Sequence, residues 1–197
     1  MTTRYILWDF GDTLVDQDWM LRAPENFPDW PQAWTEVARG SAEHAWYVNE
    51  VTCEDIAARV SKLLGMPVAD AMKHIRHCCS NIRFFDSVLI AAINCPLPRA
   101  IVTVNPDVFT KFVVPRYQLD RLFPIIITSW HEASEDKVAL CTIALKKLGG
   151  REPGEALLID NNAKAVADWE NIGGQAYLFE GEDKFVADLK TSLKILQ

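Results

Sequence analysis

The chain has 197 residues, enough for one hydrophobic core with a modest insertion. Its 49% hydrophobic and 24% charged residues are the mixture of a globular protein, and a net charge of −7 with no basic stripe argues against a nucleic-acid surface. The N-terminus lacks the apolar region of a secretory signal and no apolar run reaches membrane-spanning length, so the expected setting is cytoplasmic, with no membrane partner.

The first apolar run, Tyr5–Trp8, predicts a buried strand that ends abruptly on Asp9, with Gly11, Asp12 and Thr13 following. A carboxylate at a strand mouth can act as a nucleophile or bind a hard cation, and Gly11 lets the backbone approach a ligand closely. From about Gln17 to Phe85 the pattern turns helical. One or two helices are expected around "PQAWTEVARGSAEHAWYV". A capping-box-like start at Thr52 and Asp55 opens another helix, closed by Gly65-Met66-Pro67, and Val68 to Cys79 predicts the next. Trp19, Trp30, Trp34 and Trp46 concentrate in this segment and read as the filling of a small helical core, with a substrate pocket as the alternative. The five cysteines have no C-x-x-C spacing, and adjacent Cys78 and Cys79 read as packing. His74 and His77 lie three apart on one helix face but lack an obvious acidic or thiolate third ligand.

Beyond the insertion, short runs rich in β-branched residues recur at Ala100–Val104, Ile125–Thr128, Ala156–Ile159 and Ala176–Phe179. They do not alternate in polarity, as parallel strands buried on both faces do not. Amphipathic stretches separate them, one of which carries Val138, Cys141, Leu145 and Leu148 and stops at Gly149-Gly150. The expected fold is therefore α/β, a doubly wound parallel sheet with an inserted all-helical unit, whose ligand binds beyond the carboxyl ends of the strands. Residues 1–16 and 86–197 would form the core and 17–85 the insertion.

Two further strand ends and one helix start carry candidate chemistry. "RAIVTVNP" places Thr103 and Asn105 at the sheet edge. Lys137 begins a helix, where a cation is unfavourable against the dipole unless it faces an anion. "EALLIDNNAKAV" ends on Asp160, followed by Asn161. Asp160 either converges with Asp9 on an oxygen-ligand site for Mg²⁺ or serves as a helix N-cap.

These four segments, in this order, resemble the haloacid dehalogenase (HAD) superfamily over essentially the whole chain: Asp9 in "WDFGDTL", Thr103 in "IVTVN", Lys137 before "ALKKLG", and Asp160 in "LLIDNN". The stretch "YQLDRLFPIIITS" is also similar to the segment that precedes the family's lysine. The resemblance implies a HAD-like Rossmannoid core with a C1-type helical cap. Asp9 would be the nucleophile, forming an aspartyl-phosphate or, in dehalogenating members, an ester. Asp9, the Gly11 carbonyl, Asp160 and Asn161 would hold Mg²⁺. Thr103 and Asn105 would bind the transferring group, and Lys137 would steady Asp9 and neutralise charge on a small anionic substrate.

Two departures from the family pattern stand out. The family's usual acid–base Asp, two residues after the nucleophile, is here Gly11, and Asp12 comes one residue later. Consecutive side chains of an extended turn point different ways, so Asp12 is the candidate acid but is expected to aim away from the leaving oxygen. The fourth motif has Asn161 where a second acid is usual, which removes a negative charge from the metal site. Three readings follow: a Mg²⁺-dependent phosphatase of a small phosphorylated metabolite, a metal-free 2-haloacid dehalogenase-like hydrolase, and a catalytically impaired HAD-fold binding protein. The cap would select the substrate, with Arg22, Arg76 and Arg83 as candidate anion contacts against a commoner solvent-exposed or ion-paired role for each.

Overall fold

The architecture was obtained as a computed structural model describing residues 2–191 and residue 193. Five parallel strands, β1 (Tyr5–Trp8), β2 (Arg99–Thr103), β3 (Ile125–Thr128), β4 (Ala156–Asp160) and β5 (Gln175–Leu178), form one sheet in the order β3-β2-β1-β4-β5. Each expected strand is present to within a residue or so at its ends. Along β1 the side chains alternate between two buried faces, Tyr5 and Leu7 to one and Ile6 and Trp8 to the other. Burial on both faces is why the strands read as continuous apolar runs.

Between β1 and β2 lie α1 (Trp30–Glu36), α2 (Glu43–Tyr47), α3 (Cys53–Leu64), α4 (Val68–Cys79) and α5 (Asp86–Asn94). A wide turn at Val37–Ser41 joins α1 to α2. The Thr52–Asp55 capping box closes at both ends, with the Thr52 hydroxyl accepting from Asp55 N–H and the Asp55 carboxylate from Thr52 N–H. Gly65 ends α3 at φ 63°, a left-handed conformation that suits glycine. Trp30 and Trp34 stack at 5.6 Å and Trp34 meets Trp46 edge-on at 5.6 Å, so the tryptophans do fill the helical core. Cys78 and Cys79 are fully buried, and all five thiols are free.

After β2 come α6 (Val114–Tyr117) and α7 (Leu119–Leu122), and after β3 come α8 (Ser129–Glu132) and α9 (Lys137–Leu148). α10 (Ala163–Asn171) follows β4 and α11 (Glu182–Leu189) follows β5. α9 and Trp169 of α10 cover the Leu7, Val102 and Leu158 face of the sheet. The Ile6, Trp8 and Ile159 face shares a core with the insertion and with Phe185 of α11. The chain proceeds from β1 outward through β2 and β3, then crosses back to β4 and β5. Loops leaving β1 and β4 therefore diverge and open a crevice at their carboxyl ends. No helix among the described residues is long and apolar enough to cross a membrane.

Candidate active site

The crevice holds a cleft of about 660 Å³ lined by Asp9, Gly11, Thr103, Asn105, Lys137, Asp160 and Asn161, which are seven of the eight candidate residues. Asp9 directly follows β1, and its N–H donates to Ile159 O at 2.9 Å, so the sheet ladder itself aims the carboxylate outward. Asp160 is the last residue of β4, 1% exposed. It does not serve as an N-cap: Asn162 caps α10, accepting from Lys164 and Ala165 N–H, and Asp160 Oδ1 accepts from Asn162 N–H at 2.8 Å. That leaves Oδ2 of Asp160 turned to the crevice with no hydrogen-bond donor.

Lys137 occupies the space between the two acids. Its ammonium lies 2.5 Å from Asp9 Oδ1 and 2.8 Å from Asp160 Oδ2, the second contact an ion pair outside hydrogen-bond geometry. Asp136 makes this placement possible. As N-cap of α9 it accepts from Val138 and Ala139 N–H, so the helix end is satisfied and Lys137, the first helical residue, can turn inward. Burial pushes the Asp9 carboxyl up to about 6; Lys137 opposes the rise and Asp160 adds to it. Burial alone would lower Lys137, but Asp9 and Asp160 together hold it above the ordinary lysine value. It is a fixed ammonium.

Thr103 ends β2 at 1% exposure, and its hydroxyl accepts from Asn105 Nδ2 at 2.7 Å. A hydroxyl that accepts one bond still has its own hydrogen to donate to a ligand oxygen. Thr13 ties the two central loops together, accepting from Asn161 N–H at 3.2 Å and lying 3.4 Å from Asn161 Oδ1.

Asp12 is the exception. It is solvent-exposed at φ 51°, a left-handed conformation that Asp tolerates, and it is not part of the cleft wall. The backbone here is a left-handed turn rather than the extended loop expected, and it leaves Asp12 exposed. The three cap arginines are also placed elsewhere. Arg22 donates to Asn81 O at 2.7 Å, Arg76 lies over the Phe112 ring, and Arg83 lines a separate crevice with Asp86 and Glu182. His74 binds the Arg22 carbonyl through Nε2 at 2.7 Å, burial lowers its pKa, and its ring stacks at 6.3 Å on that of the exposed His77.

Sequence reasoning missed several residues of the cleft. Tyr47 and Glu135 line its mouth, and Lys164 and Asp168 its β4 side. His44 on α2 reaches Glu135, Nδ1 to Oε2 at 2.5 Å, bridging the insertion to the core. A narrow recess of about 50 Å³ continues from the cleft past Gly11, Tyr47 and Asn105, walled by Trp19, Trp34, Trp46 and Arg39. The tryptophans thus serve both packing and a pocket wall. Asp107, fully buried behind the β2 loop, accepts from Trp46 Nε1 at 2.6 Å and Cys53 N–H at 3.0 Å and pairs with Lys111 at 2.7 Å. No sequence period marks these residues, since they converge from distant segments.

The cleft wall carries five carboxylates, Asp9, Glu135, Asp136, Asp160 and Asp168, against two ammonium groups, Lys137 and Lys164. That balance is hostile to an anion unless a cation joins it. Asp9 and Asp160 both touch one ammonium nitrogen, so their oxygens lie within reach of one small ion. With the Gly11 carbonyl and the Asn161 amide, which line the same cleft, they would make an all-oxygen donor set of the kind Mg²⁺ takes. The residues present fit such an ion.

No family model matches the chain, and no curated protein is recognisably similar to it. Solved structures are similar in fold. A HAD-family enzyme from Bacteroides thetaiotaomicron, in complex with magnesium and inorganic phosphate, is 14% identical with a TM-score of 0.66, over 89% of this chain and 93% of that one. The L-2-haloacid dehalogenase of Xanthobacter autotrophicus, with chloropropionic acid covalently bound, is 16% identical with a TM-score of 0.65, over 96% and 83%. A predicted HAD-like family hydrolase from Porphyromonas gingivalis is 15% identical with a TM-score of 0.65, over 98% and 99%. At these identities the likeness establishes the fold: the chain has the α/β fold of HAD hydrolases.

Proposed function

From the HAD hydrolase fold, we propose that this protein is a Mg²⁺-dependent phosphatase of a small phosphorylated metabolite, working through an aspartyl-phosphate on Asp9. The observation that carries the reading is the one ammonium of Lys137 held between Asp9 and Asp160 at the carboxyl edge of the sheet. Asp9 is the nucleophile, and Lys137 fixes its rotamer and keeps it ionised against the burial that raises its pKa. Thr103 and Asn105 donate to the oxygens of the transferring group. Asp9, the Gly11 carbonyl, Asp160 and Asn161 would hold Mg²⁺. When bound it would offset the acidic cleft wall and draw charge from the phosphoryl oxygens. Residues 17–85 act as the cap over a core of 1–16 and 86–197, and the narrow recess walled by the tryptophans and Arg39 leaves room for only a small group beside the cleft.

A metal-free dehalogenase-like reaction is the second reading. It is favoured by Gly11, which leaves no acid two residues after Asp9, because a departing halide needs no proton. The buried Asp160 pairs with Lys137 in either reading, and in the first it would also be an oxygen ligand of the metal.

Purified protein assayed on p-nitrophenyl phosphate, an acyl phosphate and a 2-haloacid, with and without Mg²⁺, tests the assignment. Phosphate release that requires Mg²⁺ and is abolished by Asp9→Asn is the expected result. Halide release in chelator moves the assignment to the dehalogenase reading. No turnover of any substrate overturns both in favour of a binding protein.

A further inference from the structure

Gly11 leaves the phosphatase reading without its usual proton donor, and cleaving an unactivated phosphate ester needs one. The cleft wall narrows the alternatives. Asp9 is the nucleophile, and Asp160 is held by Lys137 and Asn162. Lys137 is clamped between two carboxylates and holds its proton too tightly to give it up. Asp136 is committed to the N-terminus of α9, and Asp168 is paired with Lys164 at 2.5 Å. Burial, with Glu43 and Glu135 nearby, pushes the Tyr47 phenol up to about 12, so it serves as a neutral donor. Glu135 is the acid of the cleft wall that the insertion engages, its Oε2 meeting His44 Nδ1 at 2.5 Å.

We infer that Glu135 is the general acid and base of this site and that His44 is the residue that positions it. The inference rests on the phosphatase reading above. In the first half-reaction an Asp9 oxygen bonds to phosphorus while the bond from phosphorus to the ester oxygen breaks, and that oxygen takes the Glu135 carboxyl proton. In the second, water attacks the aspartyl-phosphate and passes a proton to the Glu135 carboxylate. Phosphate leaves, and both acids are restored. The sum is ester plus water to alcohol plus phosphate. His44 belongs to α2 of the insertion and Glu135 to the loop before α9, so the acid is oriented only when the insertion is seated on the core.

The test is leaving-group dependence. Wild type, Glu135→Gln, Glu135→Asp and His44→Gln are assayed with Mg²⁺ on glycerol phosphate, whose alkoxide must be protonated, and on p-nitrophenyl phosphate, whose phenolate leaves readily. Glu135→Gln is expected to lower kcat/KM on glycerol phosphate by about 10²-fold or more, and by at least tenfold less on p-nitrophenyl phosphate. His44→Gln should show the same bias at smaller size, and Glu135→Asp should recover part of the alkyl-ester rate. Equal losses on both substrates would assign Glu135 a merely structural role, and no loss on either would place the acid elsewhere. If wild type hydrolyses neither ester, the phosphatase reading itself fails and this assignment goes with it.

Discussion

Replacing Lys137 by Met tests the electrostatic argument on which the site stands. Its side chain is 11% exposed and touches two carboxylates whose side chains are 11% and 2% exposed. At these separations, with an effective dielectric of ~20, each contact is worth roughly 6 kcal/mol before desolvation is charged against it. Desolvation cancels much of that in the intact cluster. Removing the cation leaves two like charges buried side by side, and breaking a buried pair in this way costs about 3–5 kcal/mol. For a chain of this size that is a fall of roughly 6–20 °C in Tm.

The pH dependence has a definite sign. Asp9 titrates at about 6 in the folded chain against an ordinary value of 3.8, so the folded state binds the extra proton between those values. The contribution of Asp9 to stability is therefore greatest below that window and falls as pH rises through it. Without Lys137 the Asp9 carboxyl must climb further. The penalty of Lys137→Met should then be larger at about pH 8 than at about pH 5, where a proton neutralises Asp9. Thermal unfolding of wild type and Lys137→Met in chelator at both pH values measures it. A loss under about 1 kcal/mol, or the same loss at both, would mean that solvent rather than Lys137 neutralises the pair.

Asp9→Asn keeps the shape of the nucleophile without its charge, so phosphate release should drop by at least about 10³-fold in a steady-state assay while the far-ultraviolet spectrum is unchanged. Asp107→Ala orphans the Trp46 and Cys53 N–H donors and strips Lys111 of its buried partner. At about 1–3 kcal/mol for each orphaned group, a loss of about 3 kcal/mol is expected in urea unfolding. Gly174→Ala would put a methyl 2.2 Å from Trp169 Nε1, a rigid ring that is fully buried. Overpacking of about 1–3 kcal/mol or more should appear as a lower urea midpoint, and an unchanged midpoint would show that α10 shifts freely. Adding chelator should abolish phosphatase turnover, and restoring Mg²⁺ should recover it, since the cleft wall is acidic without the ion.

The strands and the longer helices were legible because their cause is local. Ile125–Thr128 and Ala156–Ile159 are apolar runs of strand length, and the Thr52 box and Gly65 punctuate α3 through contacts within a few residues. Seven of the eight site candidates were legible for a related reason. In a parallel doubly wound sheet every strand end emerges on one edge, so residues such as Asp9, Thr103 and Asp160 must meet there. Asp160 as ligand or as N-cap was left open, because either role needs the same residue at the same place. The Asn162 cap excludes the second of these roles.

Which role the arginines of the insertion take was not legible, because a guanidinium on a helical segment carries no record of which way the segment faces. Arg22, Arg76 and Arg83 found backbone, aromatic and surface partners away from the cleft. The pairing of His44 with Glu135, separated by 91 positions, likewise has no sequence signature. The sequence by itself determined the sheet, its crossovers and the carboxylate at the end of β1, because these follow from periodicity and chain direction. Only the tertiary structure decided that Lys137 bridges two acids, that Asp12 faces solvent, and that the insertion brings His44 to Glu135. Those outcomes depend on rotamers and on how distant segments seat against one another, where burial and charge are settled jointly by residues far apart in the chain.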